Sequence, residues 1–180
     1  MPITGNGWEI LIQRKTTQAR SSDGKVRTVG SYQVFNDGVA VPSLAGTTAE
    51  SRGPGSNHAK GRRIAAGVYP FATQDGGKYA TIDYNPNANQ SALRRPGIEL
   101  RNTGDRSEIL IHPGIGFLAS IGCINLCKIL PDASEAISFG GSRKRVIAVI
   151  DNMRAFLGVG FPTKDGRPIP HAFAVIEGEP

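Results

Sequence analysis

A chain of 180 residues fits one domain, 1–180, and is long enough to bury a core without disulfides or metals. Its 39% hydrophobic and 20% charged residues exclude a disordered tail and a coiled coil, while 23 glycines and 12 prolines call for many turns and a strand-rich fold. The net charge of +6 favours anionic partners, but the cations are scattered, with short clusters such as Arg62-Arg63, Arg94-Arg95 and Arg143-Lys144-Arg145 and no interleaved aromatics; this supports an anionic substrate and no nucleic acid.

Trp8, Ile10, Leu11 and Ile12 mark a short strand over 8–12, and 26–35 carries β-formers after the turn signal Asp23-Gly24. Asn36-Asp37-Gly38 reads as a hairpin tip leading into 39–41. Residues 45–61 are rich in Gly, Ser, Thr and Pro and predict a loop. A second hairpin is expected from 68–73 and 79–84, joined at Gln74-Asp75-Gly76-Gly77. A polar loop over 85–97 precedes strands at 98–100 and 108–112. Beyond Cys123 the pattern changes. Ser142 is placed to cap a helix running to about Leu157, and Gly158 is a natural stop. Val146, Val149, Ile150, Met153, Phe156 and Leu157 form its apolar stripe, read as core packing. Residues 171–176 predict a last strand. The expected fold class is mainly β (α+β), with a helical C-terminal third.

No stretch approaches the ~18 consecutive apolar residues of a membrane helix, so no membrane insertion is expected. The N-terminus has neither the basic nor the apolar region of a signal peptide, and Cys123 and Cys127 make a poor disulfide framework. Synthesis in the cytoplasm is expected, with any export by a route that ignores signal peptides.

The informative segment is 111–126. It places His112 at the end of an apolar strand, then Pro113 and Gly114 in a glycine-rich loop, then Cys123 behind Gly122. A thiol attacks carbonyls as thiolate, and an imidazole within hydrogen-bond reach supplies the base. Gly122 leaves room for a substrate carbonyl to approach the backbone N–H groups around Cys123, as an oxyanion hole requires. Taken singly, a cysteine usually fills space and a histidine after a strand is usually structural. Eleven residues apart with glycines between, the two together make a candidate pair. His58 lies in a Gly-rich loop from which it can touch substrate, and His171 reads as structural. A zinc site from Cys123, Cys127, His112 and His58 lacks the second matched Cys pair of such sites, so no metal is expected.

Ser120-Ile121-Gly122-Cys123-Ile124-Asn125 resembles the signature of the L,D-transpeptidases, the YkuD family: Ser or Thr, usually His, then Gly, Cys, an apolar residue, and Asn or Arg. His112 matches that family's upstream histidine on a strand end. The segment 61–69, Gly61-Arg62-Arg63-Ile64-Ala65-Ala66-Gly67-Val68-Tyr69, is similar to its entry segment, where Arg, an apolar residue, Pro, any residue and Gly precede an aromatic strand. The resemblance spans roughly 60–127. Ile121 replaces the usual motif histidine and the His-to-Cys gap is short, and both features resemble a compact branch among type VI secretion effectors and related phage proteins.

The resemblance implies an L,D-transpeptidase-like β-sandwich or barrel and a peptidoglycan-modifying cysteine enzyme acting on stem peptides. Cys123 would be the nucleophile and His112 the base, oriented by a carbonyl near Pro113 or Gly114. Gly122 and Ser120 would support the oxyanion site, Asn125, His58 and Arg62 would bind substrate, and no cofactor is needed. Trimming (L,D-carboxypeptidase), exchange and cross-linking stay open. The effector reading adds a secretion machine, an immunity protein and action in the periplasm or cell wall of a target bacterium. Two alternatives remain: a papain-like cell-wall amidase in which His171 serves Cys123, and a non-catalytic module of a phage or secretion particle.

Overall fold

Trp8, Ile10 and Ile12 are fully buried at alternate positions, so the first apolar run becomes the inner face of a strand. In the computed structural model, which describes residues 2–180, that strand is β1 (Trp8–Ala19). It is followed by β2 (Val26–Asn36), β3 (Val39–Ser51), β4 (Gly67–Thr73), β5 (Tyr79–Ala80), β6 (Arg95–Pro96), β7 (Ile98–Leu100), β8 (Ile109–Pro113) and β9 (Ile124–Cys127). The helix α1 (Phe139–Leu157), a 3-10 turn (Gly158–Gly160) and β10 (Pro168–Glu177) complete the described chain.

Eight strands close a barrel in the order β1-β10-β4-β7-β8-β9-β3-β2, and β5 pairs with β6 in a separate two-stranded sheet. Closure removes open edges. One continuous core runs from Trp8 through Phe71, Leu100 and Ile124 to Ile176 and takes in Val146, Val149, Ile150 and Met153 of α1. The apolar stripe read from the sequence is therefore core, as expected. Trp8 Nε1 donates to Asn152 Oδ1 at 2.8 Å, fixing the helix to β1.

The chain is mainly β, but the C-terminal third is not helical. It holds one helix of 19 residues, a short 3-10 turn, and then the 10-residue strand β10, paired between β1 and β4. Ser138, not Ser142, caps α1, its side chain accepting from Gly141 N–H. Ser142 lies buried inside the first turn, where its hydroxyl donates to Leu126 O and accepts from Gly114 N–H at 2.8 Å. It joins the helix to the ends of β8 and β9.

Two segments differ from expectation through their partners. The first half of 45–61 is strand, because Thr47, Thr48 and Ala49 pair with β2 on one side and β9 on the other. β-branched polar residues held between two neighbours form strand where composition alone reads as loop. The hairpin expected over 68–84 is absent: β4 pairs with the distant β10 and β7, and only the bridge Asp75↔Ala80 remains local.

Within the barrel, only β1/β10 and β8/β9 are parallel. The second seam positions the site. A parallel neighbour must return along the barrel before it pairs. The loop from Gly114 to Cys123 makes that return, and register then sets Ile124 opposite Ile111 and Asn125 opposite His112.

Candidate active site

Because β9 starts level with the middle of β8, Cys123 lies beside Leu110, and Leu110 N–H points at its sulfur at 3.4 Å. Leu110 and His112 are two apart on one strand and so project to the same face. Cys123, Leu110 and His112 line one cavity of about 470 Å³. Its other walls are the 74–79 turn with Tyr79, Arg95 from β6, Glu108, and residues 119–121. Cys123 is partly exposed there and is not sealed in the core.

His112 is 4% exposed, and its Nδ1 lies 2.9 Å from Pro113 O. A carbonyl can only accept, so Nδ1 carries the proton and Nε2 is the free basic nitrogen. Burial lowers the imidazole pKa from 6.5 to about 4, the Pro113 bond opposing this and the nearby Arg95 cation adding to it. Tyr79 stacks on the His112 ring at 4.4 Å between centroids. Burial also raises the Cys123 thiol, while Leu110 N–H and the Arg106 cation pull it down. Both shifts favour the uncharged pair at rest. The thiol proton points to Glu108 O, 3.5 Å away on a residue with φ of 55°.

The loop that presents Cys123 is pinned from three directions. Ser120 Oγ accepts from Gly122 N–H at 2.9 Å and donates to Cys123 O at 2.6 Å, closing a tight turn. Asn125 is fully buried; its amide donates to His112 O and accepts from Ala119 N–H, each at 3.2 Å. A Cβ at Gly114 would collide with that Asn125 side chain, so close packing requires glycine there. Arg106 donates to Ser56 O, Arg62 O and Ile121 O at 3.0, 2.9 and 3.0 Å. Gly122 has φ of +146°, and any Cβ on it would strike the Arg106 guanidinium. The glycine before the cysteine is thus where the cation packs.

His112, Pro113, Gly114, Ser120, Gly122 and Cys123 are brought together, with changed duties for some. Gly122 N–H is committed to Ser120 and so is not a free oxyanion donor. Asn125 braces the loop from behind and is not part of the cavity lining. His58 is exposed and pairs with Asp105 at 2.6 Å, outside the cavity lining. The Arg62 guanidinium donates to Gly53 O, and Arg62 is likewise no part of the wall. His171 is exposed on β10, which β4 and β7 separate from β8, so it does not serve Cys123.

Neither family models, nor curated proteins, nor solved structures match this chain. The site therefore rests on its own geometry. Three of its parts are not marked by the sequence as members of this site: Arg106 in a polar turn, Tyr79 on a two-residue strand, and Arg95, visible there only as half of the basic pair Arg94-Arg95. Tertiary closure alone sets them against the histidine and cysteine. A larger cavity of about 650 Å³ lies across the loop, lined by Arg20, Lys25 and Arg52 and by Ser51 and Phe117; it contains neither His112 nor Cys123.

Proposed function

We propose that this protein is a peptidoglycan-acting cysteine enzyme of L,D-transpeptidase type, cleaving stem peptides through a thioester. The observation that carries the reading is the Cys123–His112 pair on one open cavity, with Nδ1 anchored at Pro113 O and Nε2 left to accept a proton. The motif around Cys123 supplies the substrate class through its resemblance to that family.

The scissile bond is the amide between the L-centre of the third stem residue and the fourth residue, D-alanine. The uncharged pair sets the order of events. Cys123 Sγ attacks the carbonyl carbon while His112 Nε2 takes the thiol proton, so charge develops only as the S–C bond forms. Leu110 N–H already points at the sulfur, and the charge of Arg106, held against the same loop, adds to it; together they stabilise the sulfur as it sheds the proton. The C–N bond then breaks, and His112 gives the proton to the departing amine. Water, or an amine of another stem, cleaves the thioester and restores the thiol. Water trims the stem; an amine exchanges or cross-links it. The effector reading belongs to the same proposal: delivery into a target bacterium's periplasm, with an immunity protein protecting the producer.

Incubation with purified peptidoglycan, followed by mass analysis of the stems, tests the reading. Loss of D-alanine from tetrapeptide stems, abolished by Cys123→Ala, is the expected result. Intact stems, or cleavage unaffected by that substitution, overturn it.

A further inference from the structure

The larger cavity, of about 650 Å³, shares only Ser120 and Ile121 with the cavity of His112 and Cys123. Three of its lining residues are cations, Arg20, Lys25 and Arg52, and one, Asp23, is a carboxylate. Asp23 accepts from Arg20 Nε at 2.9 Å and Nη2 at 2.5 Å, and it lies 3.7 Å from Lys25 Nζ. Among the described residues Arg20 Nη1 has no partner, and no hydrogen bond or ion pair holds the exposed Arg52 guanidinium. The lining therefore keeps a surplus of two positive charges. A fourth cation stands behind it. Arg27 is fully buried, and its guanidinium donates only to neutral oxygens: Gln18 Oε1 at 2.8 Å, Phe117 O at 2.9 Å and Asp132 O at 2.8 Å. Among the described residues no carboxylate pairs with it; Asp132 and Glu135 reach it only through space. The Phe117 ring, part of the cavity wall, lies 4.5 Å from this guanidinium and 4.7 Å from that of Arg20. The negative face of an aromatic ring attracts such cations.

We infer that this cavity binds a phosphate monoester carried on a ligand of about monosaccharide size, at a site separate from the cysteine. The inference stands independently of the proposed reaction. A buried guanidinium costs stability unless a counter-charge offsets it, and the protein supplies none to Arg27. An anion in the adjoining cavity provides one across the Phe117 ring. Charge matching selects the anion. A phosphate monoester carries about −1.5 to −2 at neutral pH, which equals the surplus on the lining, whereas a carboxylate neutralises only half of it. The free fork of Arg52 and the open Nη1 of Arg20 are the donors suited to phosphate oxygens, with Lys25 as a point charge beside them. Asp23 is committed to orienting Arg20. The volume lies within the range of ~300–1,000 Å³ usual for small-molecule sites. Leu118 and Ile121, the latter 81% exposed, give the wall apolar surface for the body of the ligand. The phosphate belongs either to a soluble ester or to a lipid headgroup, and the recognition chemistry is the same for both.

Calorimetric titration of the full chain at low salt with glucose 6-phosphate, glucuronate and glucose tests the inference. Glucose 6-phosphate is expected to bind at least about tenfold more tightly than glucuronate, and glucose not at all, as for the loss of a charged hydrogen bond. Arg52→Gln and Lys25→Gln should each weaken the phosphate about tenfold, and Arg52→Lys should recover part of the loss. Both positions are exposed, so a thermal melt should show these variants folded. Cys123→Ala should bind glucose 6-phosphate as wild type does. A second arm sediments the protein with phosphatidylcholine vesicles containing or lacking phosphatidic acid. Capture by phosphatidic acid that glucose 6-phosphate reverses identifies a headgroup as the source; binding of the sugar phosphate without capture identifies a soluble ester. Either result supports the site. No binding of glucose 6-phosphate, or binding that both Gln variants retain in full, overturns it. Glucuronate binding as tightly as the phosphate overturns the choice of anion, and loss of binding in Cys123→Ala overturns the separation from the catalytic cavity.

Discussion

Cys123 and Cys127 stand four residues apart, the first just before β9 and the second its last residue, yet the barrel gives them opposite surroundings. Cys127 is 1% exposed at the end of β9, packed with Val29, Ala49, Leu130 and Ile137, and its thiol donates to Thr47 O at 3.4 Å. Burial pushes its pKa up to about 12, despite Arg27 and Arg145 nearby. Cys123 is also raised by burial, but it opens on the cavity, receives Leu110 N–H and has Arg106 against its loop. One thiol is a small core side chain and the other faces an open cavity. What separates them is where the loop ends and the strand begins, for the residue types are identical.

Substitutions at four positions break or sharpen this contrast. Cys123→Ala should lower turnover by at least about a thousandfold while leaving the melting temperature near that of wild type, since removing the nucleophile removes the covalent route. Kinetics and a thermal melt on the same preparation check both halves.

His112→Gln should cost about a hundredfold to ten-thousandfold in kcat, the usual worth of a general base. It also carries a stability signature. Burial lowers His112 from 6.5 to about 4, so between those values the unfolded chain binds a proton that the folded chain refuses. Wild type should therefore lose about 3 kcal/mol of stability as pH falls through that window, and the variant should not. Activity should fall on the acid side near pH 4, where the imidazole becomes charged. Urea titrations and rate profiles across that range read both effects.

Arg106→Gln should raise the Cys123 thiol pKa and slow its alkylation at neutral pH about tenfold, because it removes the cation that favours the thiolate. Arg106→Lys should recover part of the rate, since charge is kept while the fork that binds Ser56, Arg62 and Ile121 is lost. The measurement is iodoacetamide labelling against pH, followed on the peptide containing Cys123. The smallest effect on turnover belongs to Cys127→Ala. It should leave activity within about twofold and cost about 1–2 kcal/mol of stability through the cavity it opens.

The contrast also shows what the sequence can and cannot carry. An apolar strand ending in His112 and a glycine-rich return to Cys123 are local features, and the pair they suggest does share a cavity. The apolar stripe of α1 is local too, and Val146, Val149, Ile150 and Met153 reach the core. Residues whose role depends on distant closure are illegible. Thr47 and Thr48 look like loop until β2 and β9 flank them. Arg106 sits in a polar turn with no periodicity and meets Ile121 only because the barrel folds its loop onto the 120–123 turn. Asn125 misleads in the other direction. Its place in the motif suggests substrate, but its register opposite His112 turns its side chain inward, onto the backbone it braces.

The central claim is that Cys123 forms a thioester with the stem peptide. Rapid quenching of the protein with a stem tetrapeptide, followed by digestion and mass spectrometry of the Cys123 peptide, tests it most directly. The account predicts an adduct on Cys123 equal in mass to the stem tripeptide acyl group, formed as D-alanine is released and more slowly in His112→Gln. Release of D-alanine with Cys123 unmodified at every quench time, or an adduct found on Cys127 instead, would contradict it.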